Sequence, residues 1–141
     1  MTPNTILLID DNPDDFYAIQ RSLEQASLGN PLEHIDEPEA GLQRLREAAA
    51  EGTLPTLVLL DINMPGMSGT ELLLALREDP RMAQLPVVML TSSNDERDVM
   101  AAFSGRANAW MHKPLSFEGL LQALQRVRTH RIELGLRPLS L

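Results

Sequence analysis

Three aspartates, one threonine and one lysine stand at the ends of short apolar runs, and together these residue types suit phosphoryl chemistry. Asp10 and Asp11 follow the run 6–9, Asp61 follows 57–60, Thr91 follows 87–90, and Lys113, directly before Pro114, follows 109–111. Lys113 is the only lysine among the 141 residues. If the runs are neighbouring strands, the three carboxylates share one edge. Two carboxylates about 4 Å apart repel by ~1 kcal/mol in water and by ~4 kcal/mol at an effective dielectric of 20. A positive partner is therefore expected. An all-oxygen donor set favours a hard cation, and Mg2+ prefers one or two carboxylates, several waters and a phosphate oxygen. The pattern predicts a Mg2+ site awaiting a phosphoryl group.

Positioning such a set requires strands that end together. The four runs lack polar alternation, as strands buried on both faces do. Residues 32–36 are shorter and more polar and suit an edge strand. Between the runs lie five stretches with helical spacing: Phe16, Ile19, Leu23 and Ala26; Leu42, Leu45 and Ala49; Leu72, Leu73 and Leu76; Val99, Ala102 and Phe103; and Phe117, Leu120, Leu121, Leu124 and Val127. Asn12-Pro13, Ser68, Asn94 and Ser116 can cap helix starts, and Gly29, Gly52 and Gly105 can stop helices. A strand–helix alternation repeated five times predicts an α/β fold: a five-stranded parallel sheet with helices on both faces and right-handed crossovers. Ligands of such sheets bind at the carboxyl ends of the strands.

Each of these residues has an ordinary reading when taken alone. An aspartate after a strand is commonly a turn or cap residue, a threonine there a cap, and a lysine a solvated charge. Four strand ends carrying complementary groups favour the functional reading for the set. His34 and His130 read as surface residues without a metal partner at ligand spacing. Asp14 and Asp15 read as charges on the first turn of a helix, favourable against its dipole. The seven methionines read as core filler or surface.

Composition narrows the function further. The chain carries 20 acids against 12 bases, a formal charge of -8. Only its last sixteen residues lean basic, which argues against direct DNA or RNA readout. The absence of cysteine excludes disulfides and thiolate metal sites. No apolar run approaches the ~20 residues needed to cross a bilayer. The expectation is a soluble, cytoplasmic protein with one domain over residues 1–131. The tail, 132–141, is too short to be a separate output domain.

The segments Ile6-Leu-Leu-Ile-Asp-Asp11, Leu57-Val-Leu-Leu-Asp-Ile-Asn-Met-Pro-Gly66 with Gly69, Val87-Val-Met-Leu-Thr-Ser92 and Lys113-Pro114 resemble the receiver domain of two-component response regulators. The resemblance covers about residues 4 to 131. It implies a flavodoxin-like sheet in the order 2-1-3-4-5 and no turnover of an external substrate. It makes Asp61 the phosphoacceptor. Asp11 and Asp61 would bind Mg2+ directly, with the Asn63 backbone carbonyl as a further ligand and Asp10 acting partly through water. Lys113 and Thr91 would hold phosphoryl oxygens, and Trp110 occupies the aromatic switch position together with Thr91. The donor would be a sensor histidine kinase. Residues 91–97 and 107–113, with the tail, are similar to the stand-alone regulators that partner bacterial phytochromes. That likeness implies a bacteriophytochrome as kinase and a homodimer through the fourth helix, fifth strand and fifth helix.

Tryptophan is bulkier than the tyrosine or phenylalanine usual at the switch, and the loop Asp36-Glu-Pro-Glu39 lacks a glycine often found there. Two rival functions remain. A Mg2+-dependent phosphohydrolase would need a general acid two residues after Asp61, where Asn63 cannot serve. A phosphate-insensitive interaction module would have no use for the retained acids, threonine and lysine.

Overall fold

The computed structural model describes residues 1–92 and 106–141. The fourth helical stretch of the sequence, with Asn94 and Gly105, lies outside the described residues. In chain order the elements are β1 (Ile6–Ile9), α1 (Pro13–Gln25), β2 (Leu32–Ile35), α2 (Pro38–Glu51), β3 (Leu57–Asp61), α3 (Gly69–Glu78), β4 (Val87–Thr91), β5 (Ala109–His112) and α4 (Phe117–Glu133). The strands form one parallel sheet in the order β2-β1-β3-β4-β5.

Strand period two divides the apolar runs between two cores. Leu7, Ile9, Val58, Leu60, Val87 and Met89 pack beneath α2 and α3. Ile6, Leu8, Leu57, Leu59, Val88 and Leu90 pack beneath α1 and α4. These strand residues are fully buried, which is why the runs show no polar alternation. β2 at the edge is only partly buried along its length, as its polar sequence predicts.

The caps follow the sequence closely. The side chains of Asn12, Ser68 and Ser116 accept backbone N–H bonds from Asp14, Glu71 and Gly119. Gly52 ends α2 in the left-handed conformation, φ 72°. α1 ends earlier than Gly29 suggests, at Gln25, with Ala26 closing its last turn.

The last residues pack back on the body. Leu139 and Leu141 lie against the α1/α4 core, Ser140 N–H donates to the Thr56 hydroxyl at 2.8 Å, and Asn30 Nδ2 donates to the Ser140 carbonyl. The tail therefore covers the end of the sheet where β1 and β3 begin. Among the described residues, no helix is long and apolar enough to cross a membrane.

Candidate functional site

Register brings the chemistry-bearing residues together. Ile9 pairs with Leu60 and Asp61 with Leu90, so the next residue of β1, Asp10, lies level with Asp61, and Thr91 lies one step beyond. Thr91 pairs with His112, which places Lys113 just past the end of β5. Hydrogen bonds continue beyond the strands, from Ile62 N–H to the Leu90 carbonyl at 2.9 Å and from Lys113 N–H to the Thr91 carbonyl at 2.7 Å. The Lys113–Pro114 peptide is cis.

A carboxylate oxygen from each of Asp10, Asp11 and Asp61 falls within one cluster whose atoms lie within 4.8 Å of one another. Asp10, Asp61 and Thr91 are buried, whereas Asp11 and Asn63 are exposed at the rim. Asp10 Oδ1 accepts from Asn12 N–H at 2.8 Å, and Asp61 Oδ1 accepts from Asn63 N–H at 3.1 Å. Lys113 Nζ donates to Asp61 Oδ2 at 3.0 Å and makes an ion pair with Asp10 Oδ2 at 3.2 Å. Asp10 Oδ2 is buried and accepts no aligned hydrogen bond, so the Lys113 ammonium is its compensation. A single ammonium among these carboxylates leaves negative charge over, which fits a site shaped for a cation.

Asp15 stands in the first turn of α1 as its sequence position predicts, but unlike the exposed Asp14 it is buried: it is 7% exposed, and its Oδ2 lies 2.6 Å from Lys113 Nζ. With Asp10 and Asp61 it makes three carboxylates around one ammonium. A signal for this lay in the helical spacing, because Asp15 shares the buried face of α1 with Ile19, Ser22 and Leu23.

His34 is also more than a surface residue. It is half-buried, its Nε2 lies 2.6 Å from the Asp10 carbonyl, and its ring stacks on Phe16 at 5.2 Å. Because a carbonyl can only accept, Nε2 carries the proton. His130 is likewise half-buried and contacts the Asn108 amide at 3.1 Å.

Charge crowding shows in the acids. Burial raises the Asp10 pKa to about 7, a hydrogen bond with Asp15 and the Asp61 charge add to this, and the Asn12 N–H and Lys113 oppose it. Burial also raises Asp61, against the opposing hydrogen bond and charge of Lys113. For Lys113 burial acts downward, but its pairing with Asp15 and Asp61 prevails and lifts it above its ordinary value. The ammonium stays charged throughout the physiological range.

Two further residues shape the surroundings. Gly69 opens α3 directly behind Asp61: a Cβ there would overlap the Asp61 carbonyl oxygen and approach Ile62 Cα within 2.8 Å. Only glycine permits this approach. Trp110 is half-buried against the α2/α3 core, and the Arg126 guanidinium of α4 lies 4.5 Å from its ring centroid.

A parallel α/β sheet with an acid cluster, a threonine and a lysine at its carboxyl edge defines a class of phosphoryl-handling signalling domains, and comparison with known proteins agrees. The family model for the response regulator receiver domain matches residues 6–125. The chain belongs to this family. The probable methanogenesis regulatory protein FilR2 of Methanothrix harundinacea (strain 6Ac) is 33% identical over 129 residues, covering 91% of this chain and 83% of FilR2. Response regulator Rcp1 of Synechocystis sp. (strain ATCC 27184 / PCC 6803 / Kazusa) is 28% identical over 133 residues, 93% of this chain and 90% of its own. A solved Mn(2+)-bound form of Rcp1 superposes with a TM-score of 0.74 at 27% identity, over 99% of this chain and all of that one. The bacteriophytochrome response regulator RtBRR superposes at 0.79 with 30% identity, over 90% of this chain and 78% of that one. Receiver domains take their phosphoryl group from histidine kinases, on an aspartate, and bind Mg2+ or Mn2+ at an acidic site.

Proposed function

We propose that Asp61 is the phosphoacceptor, receiving its phosphoryl group from a phosphohistidine of a sensor kinase, and that the modified protein signals through altered protein contacts. In the transfer the N–P bond of the donor breaks, an O–P bond to the Asp61 carboxylate forms, and the departing imidazole takes up a proton. The hydrogen bond from the sole lysine to Asp61, inside the oxygen cluster of Asp10, Asp11 and Asp61, carries this reading.

Asp11, Asp61 and the Asn63 carbonyl would hold Mg2+ directly, with Asp10 acting partly through water. The ion, when bound, supplies neutralisation of the phosphoryl oxygens. The chain's own contribution is placement and charge. Lys113 pairs with one phosphoryl oxygen and the Thr91 hydroxyl donates to another. The acyl phosphate brings roughly one to two added negative charges and three strong acceptors. Drawing Thr91 and Lys113 toward them shifts a population of conformers that Trp110, tied to α4 through Arg126, is placed to report.

Likeness to the bacteriophytochrome response regulator RtBRR supports a bacteriophytochrome as the kinase. The proposal extends to action in the cytoplasm and to a homodimer that includes the face of β5 and α4. Incubation with Mg2+ and a small-molecule phosphoryl donor, followed by intact-mass measurement, should show one covalent phosphoryl group, absent in Asp61→Asn. No adduct in the native protein overturns the proposal. Light scattering at micromolar concentration should report a dimer; a monomer with and without phosphate removes that part.

A further inference from the structure

We propose that Asp15 is a positioning residue: it anchors Lys113 from α1 so that the ammonium stands over the phosphoacceptor before, during and after transfer. This rests on Asp61 being the acceptor.

Three carboxylates form ion pairs with the ammonium: Asp15 of α1 at 2.6 Å, Asp61 of β3 at 3.0 Å, which also accepts its hydrogen bond, and Asp10 just after β1 at 3.2 Å. Asp15 is the nearest. It is also the one carboxylate of the three outside the oxygen cluster suited to a cation. Asp10 would face Mg2+ when the ion is present, and Asp61 loses its free carboxylate when it is acylated. Asp15 is neither a proposed ligand nor the acceptor, so both events leave its carboxylate free to hold Lys113. A lysine side chain carries about 2 kcal/mol of rotamer entropy on its flexible stem. An unchanging partner that orders this stem keeps the counter-charge ready for the arriving phosphoryl group.

A role for Asp15 in the helix dipole alone does not account for its burial. Asp14, one residue earlier, serves that role while exposed. Burying a third carboxylate beside Asp10 and Asp61 is costly unless it is paired, and Lys113 is the cation that pairs it.

Because Lys113 is the sole lysine, protein grown with 15N,13C-lysine gives a single side-chain signal to follow by NMR at fixed pH. In Asp15→Asn without Mg2+, that signal should move and sharpen toward that of a mobile lysine, whereas Asp14→Asn should leave it in place. The rate of phosphorylation from a small-molecule donor should fall on the order of tenfold in Asp15→Asn, and a Lys113→Met background should abolish that difference. An unmoved lysine signal in folded Asp15→Asn overturns the proposal, as does an undiminished rate loss in the Lys113→Met background. Should Asp15→Asn not fold, Asp15→Glu serves: it must displace the same signal, and an unmoved one overturns the proposal. If the native protein takes up no phosphoryl group, the reading of Asp61 fails while the lysine signal still decides the pairing.

Discussion

A half-buried lysine and a buried arginine of this protein face opposite kinds of partner. Lys113, with 16% of its side chain exposed, sits among the carboxylates of Asp10, Asp15 and Asp61. Arg77, 6% exposed, is held at the other end of the sheet by neutral acceptors: its five N–H bonds reach the carbonyls of Met82, Leu85 and Arg106 and the Asn108 amide oxygen. Their pKa values move in opposite directions. Burial lowers Arg77 to about 10, with the Arg106 charge adding to the effect, whereas its carboxylate partners lift Lys113. Neutral backbone partners are fixed by the fold and cannot change charge. Carboxylate partners can be protonated, metallated or acylated. The first arrangement fastens structure, and the second lets chemistry be felt.

The contrast can be broken at either end. The largest expected effect is on stability at Arg77: Arg77→Met removes five hydrogen bonds of a charged group, two of them buried, and should cost roughly 3 kcal/mol or more. Denaturant unfolding measures this, and the Mg2+ affinity of the folded fraction should change less than about twofold. A comparable loss of affinity would mean that the two ends are coupled.

At the other end, Lys113→Ala should leave phosphorylation partly intact and weaken its conformational effect. If the phosphate-induced change in Trp110 fluorescence is as large as in the native protein, the role given to Lys113 is wrong. The same variant leaves Asp10, Asp15 and Asp61 without their shared cation, so its unfolding midpoint at pH 8 should recover when Mg2+ is added.

Next in size is the pH response. Asp10 must be ionised to assist a cation, and with a pKa near 7 its ionised fraction falls about tenfold between pH 8 and pH 6. Mg2+ affinity, measured calorimetrically, should fall by about the same factor over that range. A raised acid pKa also means that this group's contribution to stability is complete below the unfolded value near 3.8 and lost as pH rises through 7. Metal-free protein should therefore lose stability between pH 5 and pH 8 through this group, and Mg2+ should offset the loss. Flat affinity from pH 6 to 8 would contradict the burial assigned to Asp10.

The smallest effect belongs to a surface cation. Arg44 pairs with Glu33 at 3.1 Å, with a third of each side chain exposed. Solvent screening should hold the loss in Arg44→Ala below about 1 kcal/mol, and added salt should remove most of it.

The reach of the sequence divides along similar lines. Asp10, Asp11, Asp61, Thr91 and Lys113 were legible because each ends an apolar run, and a parallel sheet aligns strand ends without further information. The sheet order came from family resemblance rather than from the pattern of runs. Asp15 was hidden because an acid in a first helical turn already has a sufficient explanation, and only its face on α1 reveals a second use. Arg77 was hidden for a related reason: it continues the buried face of Leu72, Leu73 and Leu76, yet nothing in a charged residue's type announces neutral partners. The docking of Leu139 and Leu141 on the α1/α4 core depends on contacts far apart in sequence, which local patterns do not encode.

Gly69 gives the acceptor strand a mechanical property. With no side chain between them, the first turn of α3 rests directly on the backbone of Asp61 and Ile62, and its N–H is bonded to the Ile62 carbonyl at 2.9 Å. No compliant layer separates acceptor from helix. A shift of the Asp61 main chain of a few tenths of an ångström is therefore passed to α3 undamped, making this helix a stiff pushrod for events at the carboxylate.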